Sequence, residues 1–157
     1  MSYLHCDYDE KYLSLHDCVA ERAYFEDGKL GFEFEDGFWI SPEHPESHLS
    51  NMVRTDASKV EYTLEDGMEY DVDILVYERS VNGAIAGREW SLRELVDAIN
   101  AGTCKLEFLY QYLGYNCRMV ECELRLGDVP DRQTCMMRIS APQVCYYWNK
   151  LRADRAW

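Results

Sequence analysis

Hydrophobic and polar positions alternate with period two along most of this chain, and glycine-containing pairs punctuate the alternation. Asp27-Gly28, Asp36-Gly37, Asp66-Gly67, Asn82-Gly83 and the lone Gly114 each sit between such stretches, a pattern of antiparallel strands joined by short turns. The strands predicted are about 13–25, 29–35, 38–41, 58–65, 69–78, 84–89, 104–112, 117–126, 133–140 and 143–148. One stretch breaks the rhythm. Leu92, Leu95, Val96 and Ile99 recur at helical spacing, which predicts a helix over 92–100 with a single apolar stripe. Ser91 suits its N-cap, Glu94 completes a capping box, Trp90 and Leu95 suit a hydrophobic staple, and Gly102 suits a left-handed C-terminal cap.

Register can be read from the same pattern. A two-residue turn at Asp27-Gly28 sets Glu26 opposite Lys29, Phe25 opposite Leu30, Ala23 opposite Phe32 and Arg22 opposite Glu33. Apolar then meets apolar and opposite charges meet. A second pair folding about Gly114 sets Phe108 opposite Val120, Leu106 opposite Cys122 and Lys105 opposite Glu123. These pairings predict a mainly β, α+β fold as one domain over residues 1–157. Its strands form an antiparallel meander closed into a barrel or stacked as a two-layer sandwich, with one short α-helix docked on it.

The stretch around Asp66-Gly67 is less simple. Val60, Tyr62 and Leu64 share one face of the first strand; Tyr70, Val72, Ile74 and Val76 share one face of the second. A two-residue turn opposes Leu64 to Glu69 and Tyr62 to Asp71, which mixes core and solvent faces. A loop of odd length, Asp66-Gly67-Met68, restores the apolar match, with Leu64 meeting Tyr70 and Tyr62 meeting Val72. It then opposes Glu65 to Glu69 and Glu61 to Asp73, with Asp71 beside Thr63. Like charges directly opposed destabilise a sheet by some tenths of a kcal/mol per pair. The expectation is an outer-face acidic patch of Glu61, Glu65, Glu69, Asp71 and Asp73, which is either a solvated strand face, a surface for a basic protein partner or for arginines of the C-terminal half in a dimer, or a hard-cation site, for which no calcium-loop spacing is present. Reversing Asp71 and Asp73 to Lys should abolish binding to a basic partner.

Charge supports this emphasis. Residues 1–80 carry 20 acidic against 6 basic residues, a net of −14, while residues 81–157 carry 9 against 10, a net of +1. The sequence pI is about 4.6 and holds no basic patch, which argues against direct nucleic-acid binding. Hydrophobic residues make up 47% of the chain, which excludes intrinsic disorder. No apolar run reaches a membrane span, and the acidic start MSYLHCDYDEKY does not read as a signal peptide, so the compartment expected is cytoplasmic. In that compartment seven cysteines, an odd number with no Cys-x-x-Cys spacing, read as buried free thiols.

Other chemistry-bearing features are weaker. His44 and His48 lie with Glu43 and Glu46 in the loop 41–50, where imidazole and carboxylate could ligate zinc, although two prolines there fit an exposed connector. His16 and Cys18 share a strand face but stand too far apart for a nucleophilic dyad. Tyr110, Tyr112 and Tyr115, with Tyr146, Tyr147 and Trp148, crowd aromatics that fill a core, or line a ligand pocket or an interface. The basic stretch 150–157, ending in Trp157, could dock on the acidic half of a neighbouring subunit. Phosphate-cradling glycine motifs, Gly-x-Ser-x-Gly and His-Glu-x-x-His are absent, so no catalytic residue, metal ligand or cofactor is assigned.

The stretches Leu15-His-Asp-Cys18, Gly28–Ile40 and Trp90–Glu123, including Lys105-Leu-Glu-Phe-Leu-Tyr-Gln-Tyr112, resemble small uncharacterised proteins of Firmicutes and their phages. The resemblance implies a mobile-element accessory protein and carries over no activity. The function expected is a non-enzymatic, acidic interaction module that binds a basic protein surface, in one version by mimicking nucleic acid. The alternatives are a small-molecule or metal-binding β-barrel with hydrolysis among its activities, and a homodimer that opposes its acidic half to its basic tail.

Overall fold

The computed structural model of the chain describes residues 3–80, 82–127 and 132–156. Along them run β1 (His5–Asp7), β2 (Leu13–Ser14), β3 (Cys18–Ala20), β4 (Arg22–Glu26), β5 (Lys29–Phe34), β6 (Trp39–Ile40), β7 (Val53–Thr55), β8 (Ser58–Thr63), β9 (Val72–Arg79) and β10 (Ile85–Trp90). The helix α1 (Leu92–Asn100) follows, then β11 (Cys104–Gly114), β12 (Cys117–Leu126), β13 (Arg132–Ser140), β14 (Gln143–Trp148) and β15 (Leu151–Ala156). The strands form three antiparallel sheets, ordered β1-β14-β8-β5-β4, β10-β9-β13-β12-β11-β3 and β15-β7-β6-β2. The architecture is mainly β and open, a two-layer sandwich and not a closed barrel.

Alternation decides which side chains fill the space between layers. Leu30, Phe32, Phe34, Val60, Tyr62, Tyr146 and Trp148 point inward from the first sheet, and Leu106, Phe108, Val120, Cys122, Leu124, Met137 and Ile139 from the second. Phe108 meets Phe32 and Phe34 edge-on, at centroid distances of 5.2 and 5.6 Å, the favoured aromatic geometry. The helix lies as its sequence dictates. The Ser91 hydroxyl accepts from Glu94 N–H at 3.1 Å. Leu92, Leu95 and Ile99 are buried, and the Asn100 amide bonds both backbone groups of Ala23. At the other end Gly102 N–H donates to the Ile99 carbonyl and Thr103 N–H to that of Ala98, a Schellman closure. The Glu94 carboxylate pairs with Arg88 and leaves the capping box half made.

The first hairpin has the register read from its sequence: Arg22 faces Glu33, Ala23 faces Phe32, Phe25 faces Leu30 and Glu26 faces Lys29. The pair about Gly114 does not. Its turn lies one step later, with Gly114 opposite Cys117, and a bulge at Leu109 sets Phe108 opposite Cys122, Leu106 opposite Leu124 and Lys105 opposite Arg125. The predicted strand 13–25 is broken into β2, β3 and β4, with Asp17 at a positive φ of 56° between the first two.

The largest correction concerns residues 58–78, which form no hairpin. β8 pairs with β5 and β14 in the first sheet, whereas β9 pairs with β10 and β13 in the second. Leu64 N–H donates to the Gly28 carbonyl and Glu65 N–H to that of Ser140, so the chain steps from one layer to the other within two residues. Asp71, buried in the step, accepts from Asp66 and Met68 N–H at 3.0 Å each. Glu61 is therefore opposite Cys145 and Gly31, and Asp73 opposite Arg138. No carboxylates are forced together there.

Candidate functional site

The five carboxylates singled out by the sequence are dispersed. Asp71 serves the turn just described. Asp73 accepts from Arg138 at 2.6 Å and Glu69 from Arg93 at 3.3 Å, while Glu65 is exposed. Glu61 lies on the outer face of the first sheet beneath a lid of its own. A Cβ on Gly31 would stand 2.1 Å from the Tyr24 ring, so the glycine is what lets Tyr24 fold flat across the sheet. The Tyr24 hydroxyl then donates to Glu61 at 2.6 Å, and Lys29 and Lys59 donate at 2.9 and 3.0 Å. Lys59 also stacks over the Tyr147 ring, 4.6 Å from its centroid. Burial acts to raise the Glu61 pKa, but the bonds from Lys29, Tyr24 and Lys59 outweigh it and hold it at about 2. The Glu61 carboxylate is saturated, and with two ammonium groups on one carboxylate the cluster is no acidic patch.

The charge asymmetry of the chain is partly spent inside the fold. Arginines of the second half pair with carboxylates of the first: Arg118 with Glu10, Arg138 with Asp73, Arg93 with Glu69, Arg88 with Glu78 and Arg155 with Asp36. The basic stretch from Lys150 thus reaches its own acidic half, through β15 on β7 and through Arg155. Trp157 lies outside the described residues.

An open site does exist along β11. This strand runs for eleven residues, yet β3 covers only Leu106–Phe108 of its outer edge. Beyond them the bulge turns the Leu109 carbonyl outward to the His16 ring, whose Nδ1–H donates at 2.5 Å. From Tyr110 to Gly114 no described strand pairs with that edge. Tyr110, Tyr112, Leu113 and Tyr115 are 54–94% exposed here, and Leu109-Tyr-Gln-Tyr-Leu-Gly-Tyr115 contains no charge.

Beside this edge, between it and residues 13–16, is a cavity of about 470 Å³ walled by Leu13, Leu15, Phe108 and Val120. A polar floor closes it. Arg118 donates twice to the Glu10 carboxylate, at 3.2 and 2.6 Å, and once to the Ala141 carbonyl. Gln111 must turn its amide nitrogen to the acceptor-only carboxylate, at 2.8 Å, so its oxygen accepts from Tyr62 at 3.0 Å. The same nitrogen reaches the Tyr146 hydroxyl at 3.4 Å, which leaves the Tyr146 proton without an acceptor among the described residues. Ser14 and His16 are shared with a second cavity of about 420 Å³, flanked by Trp39, Met52 and Arg54. Arg54 lies over the Trp39 ring and donates to the Asp17 carbonyl.

The remaining candidates have structural work. His44 is buried; its Nδ1 accepts from Glu46 N–H and its Nε2–H donates to Asp7 at 2.8 Å. Burial acts to raise the Asp7 pKa, but bonds from Asp9 N–H and His44 bring it below the usual value. The Cys18 thiol is enclosed, and burial pushes it up to about 12, which leaves no nucleophile beside His16. Among the described residues no group of three or more His, Cys, Asp or Glu converges as a metal site, and no helix is long and apolar enough to cross a membrane. Sequence reading flagged Tyr110, Tyr112 and Tyr115 as aromatic crowding and missed the edge. The uncharged window 109–115 in so acidic a chain was the available signal.

Neither a family model, nor a curated protein sequence, nor a solved structure matches this chain.

Proposed function

We propose that the protein is a non-enzymatic interaction module that takes an extended segment of a basic protein partner onto the open edge of β11. The observation that carries this reading is the unpaired, uncharged, aromatic edge at 110–114. Edge strands in soluble proteins are ordinarily blunted by charge, proline or cover, so a bare edge is a template for strand addition. Tyrosine and methionine are favoured at the buried centres of interfaces, and Met119 adds to the exposed tyrosines here. Charge selects the partner. Glu121 is opposite Tyr110 on the edge and Asp17, beside the His16 ring, lies at its end with its N–H on the Phe108 carbonyl, and the net charge of −13 steers basic segments toward the molecule. The cavity beside the edge receives one apolar side chain.

A synthetic peptide of alternating Lys and Val, followed by fluorescence anisotropy, tests this. Binding should weaken with salt and fall by about tenfold or more in Tyr112→Lys and Leu113→Lys. Asp73→Lys, remote on β9, should leave it unchanged. Edge variants that bind like the native chain would overturn the reading. So would a native molecular mass of two chains that Tyr112→Lys reduces to one, which assigns the edge to a second copy.

A second reading rests on the Tyr146 proton: a small apolar molecule bearing a carbonyl or ether oxygen fills the cavity. Tyr146→Phe would then weaken binding of acetophenone as a probe and leave the peptide unaffected.

A further inference from the structure

Two cysteine pairs lie across adjacent strands, and they differ in what they can do. Cys122 and Cys135 are directly opposite on β12 and β13, but both are fully enclosed in the core. Cys6 and Cys145 are diagonal neighbours on the outer face of β1 and β14, where Cys6 faces Tyr147 and Cys145 lies two residues before it. Their sulfurs stand 2.6 Å apart, well inside thiol–thiol van der Waals contact, with Cys6 exposed and Cys145 buried beneath it.

We infer that Cys6 and Cys145 form an oxidisable dithiol that closes to a disulfide with hydrogen peroxide as oxidant. The exposed Cys6 thiol reacts first: its sulfur takes one peroxide oxygen, the O–O bond breaks, and water leaves, giving a sulfenic acid. The Cys145 sulfur then attacks the Cys6 sulfur. The S–S bond forms as the S–O bond breaks, and the hydroxyl departs with the Cys145 proton as a second water. The peroxide is reduced to two waters and the two thiols are oxidised to one disulfide. Burial pushes the Cys145 thiol up to about 12, which keeps it protonated and leaves the first reaction with the oxidant to the exposed Cys6; the 2.6 Å sulfur contact is what lets Cys145 resolve the sulfenic acid.

The consequence falls on β1. Among the described residues its three residues pair with β14 alone, at the edge of the first sheet. It nevertheless holds the Asp7 bond to His44, stacks His5 on Trp148 at 5.3 Å, and leads into the turn that carries Glu10. A disulfide there pins the start of the chain to its penultimate strand.

Peptide mapping of the native protein after hydrogen peroxide treatment tests the inference. The expected result is an intact mass lower by about 2 Da and a single cross-linked peptide joining Cys6 to Cys145, both reversed by dithiothreitol. Amide exchange at His5–Asp7 should slow in the oxidised form. Cys6→Ser, at an exposed position, should remove the mass change, and Cys122→Ser should keep it. Oxidation of Cys6 to sulfinic acid, a Cys6 link between two chains, or retention of all thiols would each overturn it.

Discussion

Two stretches of this chain are written alike. Residues 22–33 and 58–78 each place an Asp-Gly pair between alternating apolar and polar positions. In the first, Asp27 and Gly28 both take positive φ, at 50° and 71°, and the flanking strands pair residue by residue. In the second, the chain crosses from one sheet to the other at Leu64-Glu65, just before Asp66-Gly67, and the two strands never touch as a ladder. Faces and charges account for the difference. The two-residue turn of the first stretch matches apolar with apolar and Arg22 with Glu33. In the second it mismatches faces, and the loop that repairs the faces opposes carboxylates. A register with no satisfactory solution marks a crossing between layers. The conflict itself was the information.

The comparison can be broken at the crossings first. At Asp36-Gly37, which also carries the chain between sheets, Gly37 has φ 73° and a Cβ there would stand 2.3 Å from the Thr55 carbonyl. Gly37→Ala should cost about 3 kcal/mol, read from urea unfolding, through positive-φ strain and that clash. Asp71→Ala should cost about 2–3 kcal/mol by leaving the Asp66 and Met68 N–H groups unpaired within the step. If 58–78 were a hairpin with Asp71 on its solvent face, the loss would be within about 0.5 kcal/mol.

Glu61 sharpens the contrast by pH. Its folded pKa of about 2 lies below the unfolded value near 4.5, so its contribution is present above that value and disappears as pH falls toward 2. Native stability should drop by about 2 kcal/mol across this window, and Glu61→Gln should flatten the profile, as followed by unfolding at stepped pH. A carboxylate facing Asp73 would show the opposite sign, gaining stability on protonation. A smaller effect separates partners: Arg138→Asp should cost about 1 kcal/mol, and adding Asp73→Arg should restore part of it in a double-mutant cycle. Smallest is Asp27→Asn in the true hairpin, expected to change stability by no more than about 0.3 kcal/mol, since Asn-Gly suits the same turn.

Much of the fold was legible because its signals are local. The helix with its Ser91 cap, the Asp27-Gly28 register and the extent of β14 each depend on neighbouring residues and appear as read. Alternation correctly marked Val60, Tyr62, Leu64, Val72, Ile74 and Val76 as buried and wrongly set Tyr70, which is exposed, on the same face. It says which face is covered and not which strand is adjacent, so β8 and β9 were joined when they belong to opposite layers. The short strands at 5–7 and 53–55 are too brief for a period to register, and in 151–156 the alternation breaks at Asp154-Arg155. The register about Gly114 slipped because the turn is made by Tyr115-Asn116, with Asn116 at a positive φ of 49°, and not by the glycine; the bulge at Leu109 then shifts the pairing by one residue. The site was less legible still. Glu10 and Arg118 are 108 residues apart, and the openness of β11 depends on how little of it β3 covers. The acidic first half, by contrast, has a plain physical partner: arginines of the second half take up several of its carboxylates.

Cross-strand backbone NOEs in the isotope-labelled protein test the central claim most directly. The two-layer account predicts contacts from Val60 to Phe32 and Tyr146, and from Asp73 and Ile74 to Arg138 and Met137, with none between Glu61 and Asp73. A ladder of contacts linking Glu61 to Asp73 and Tyr62 to Val72 would contradict it.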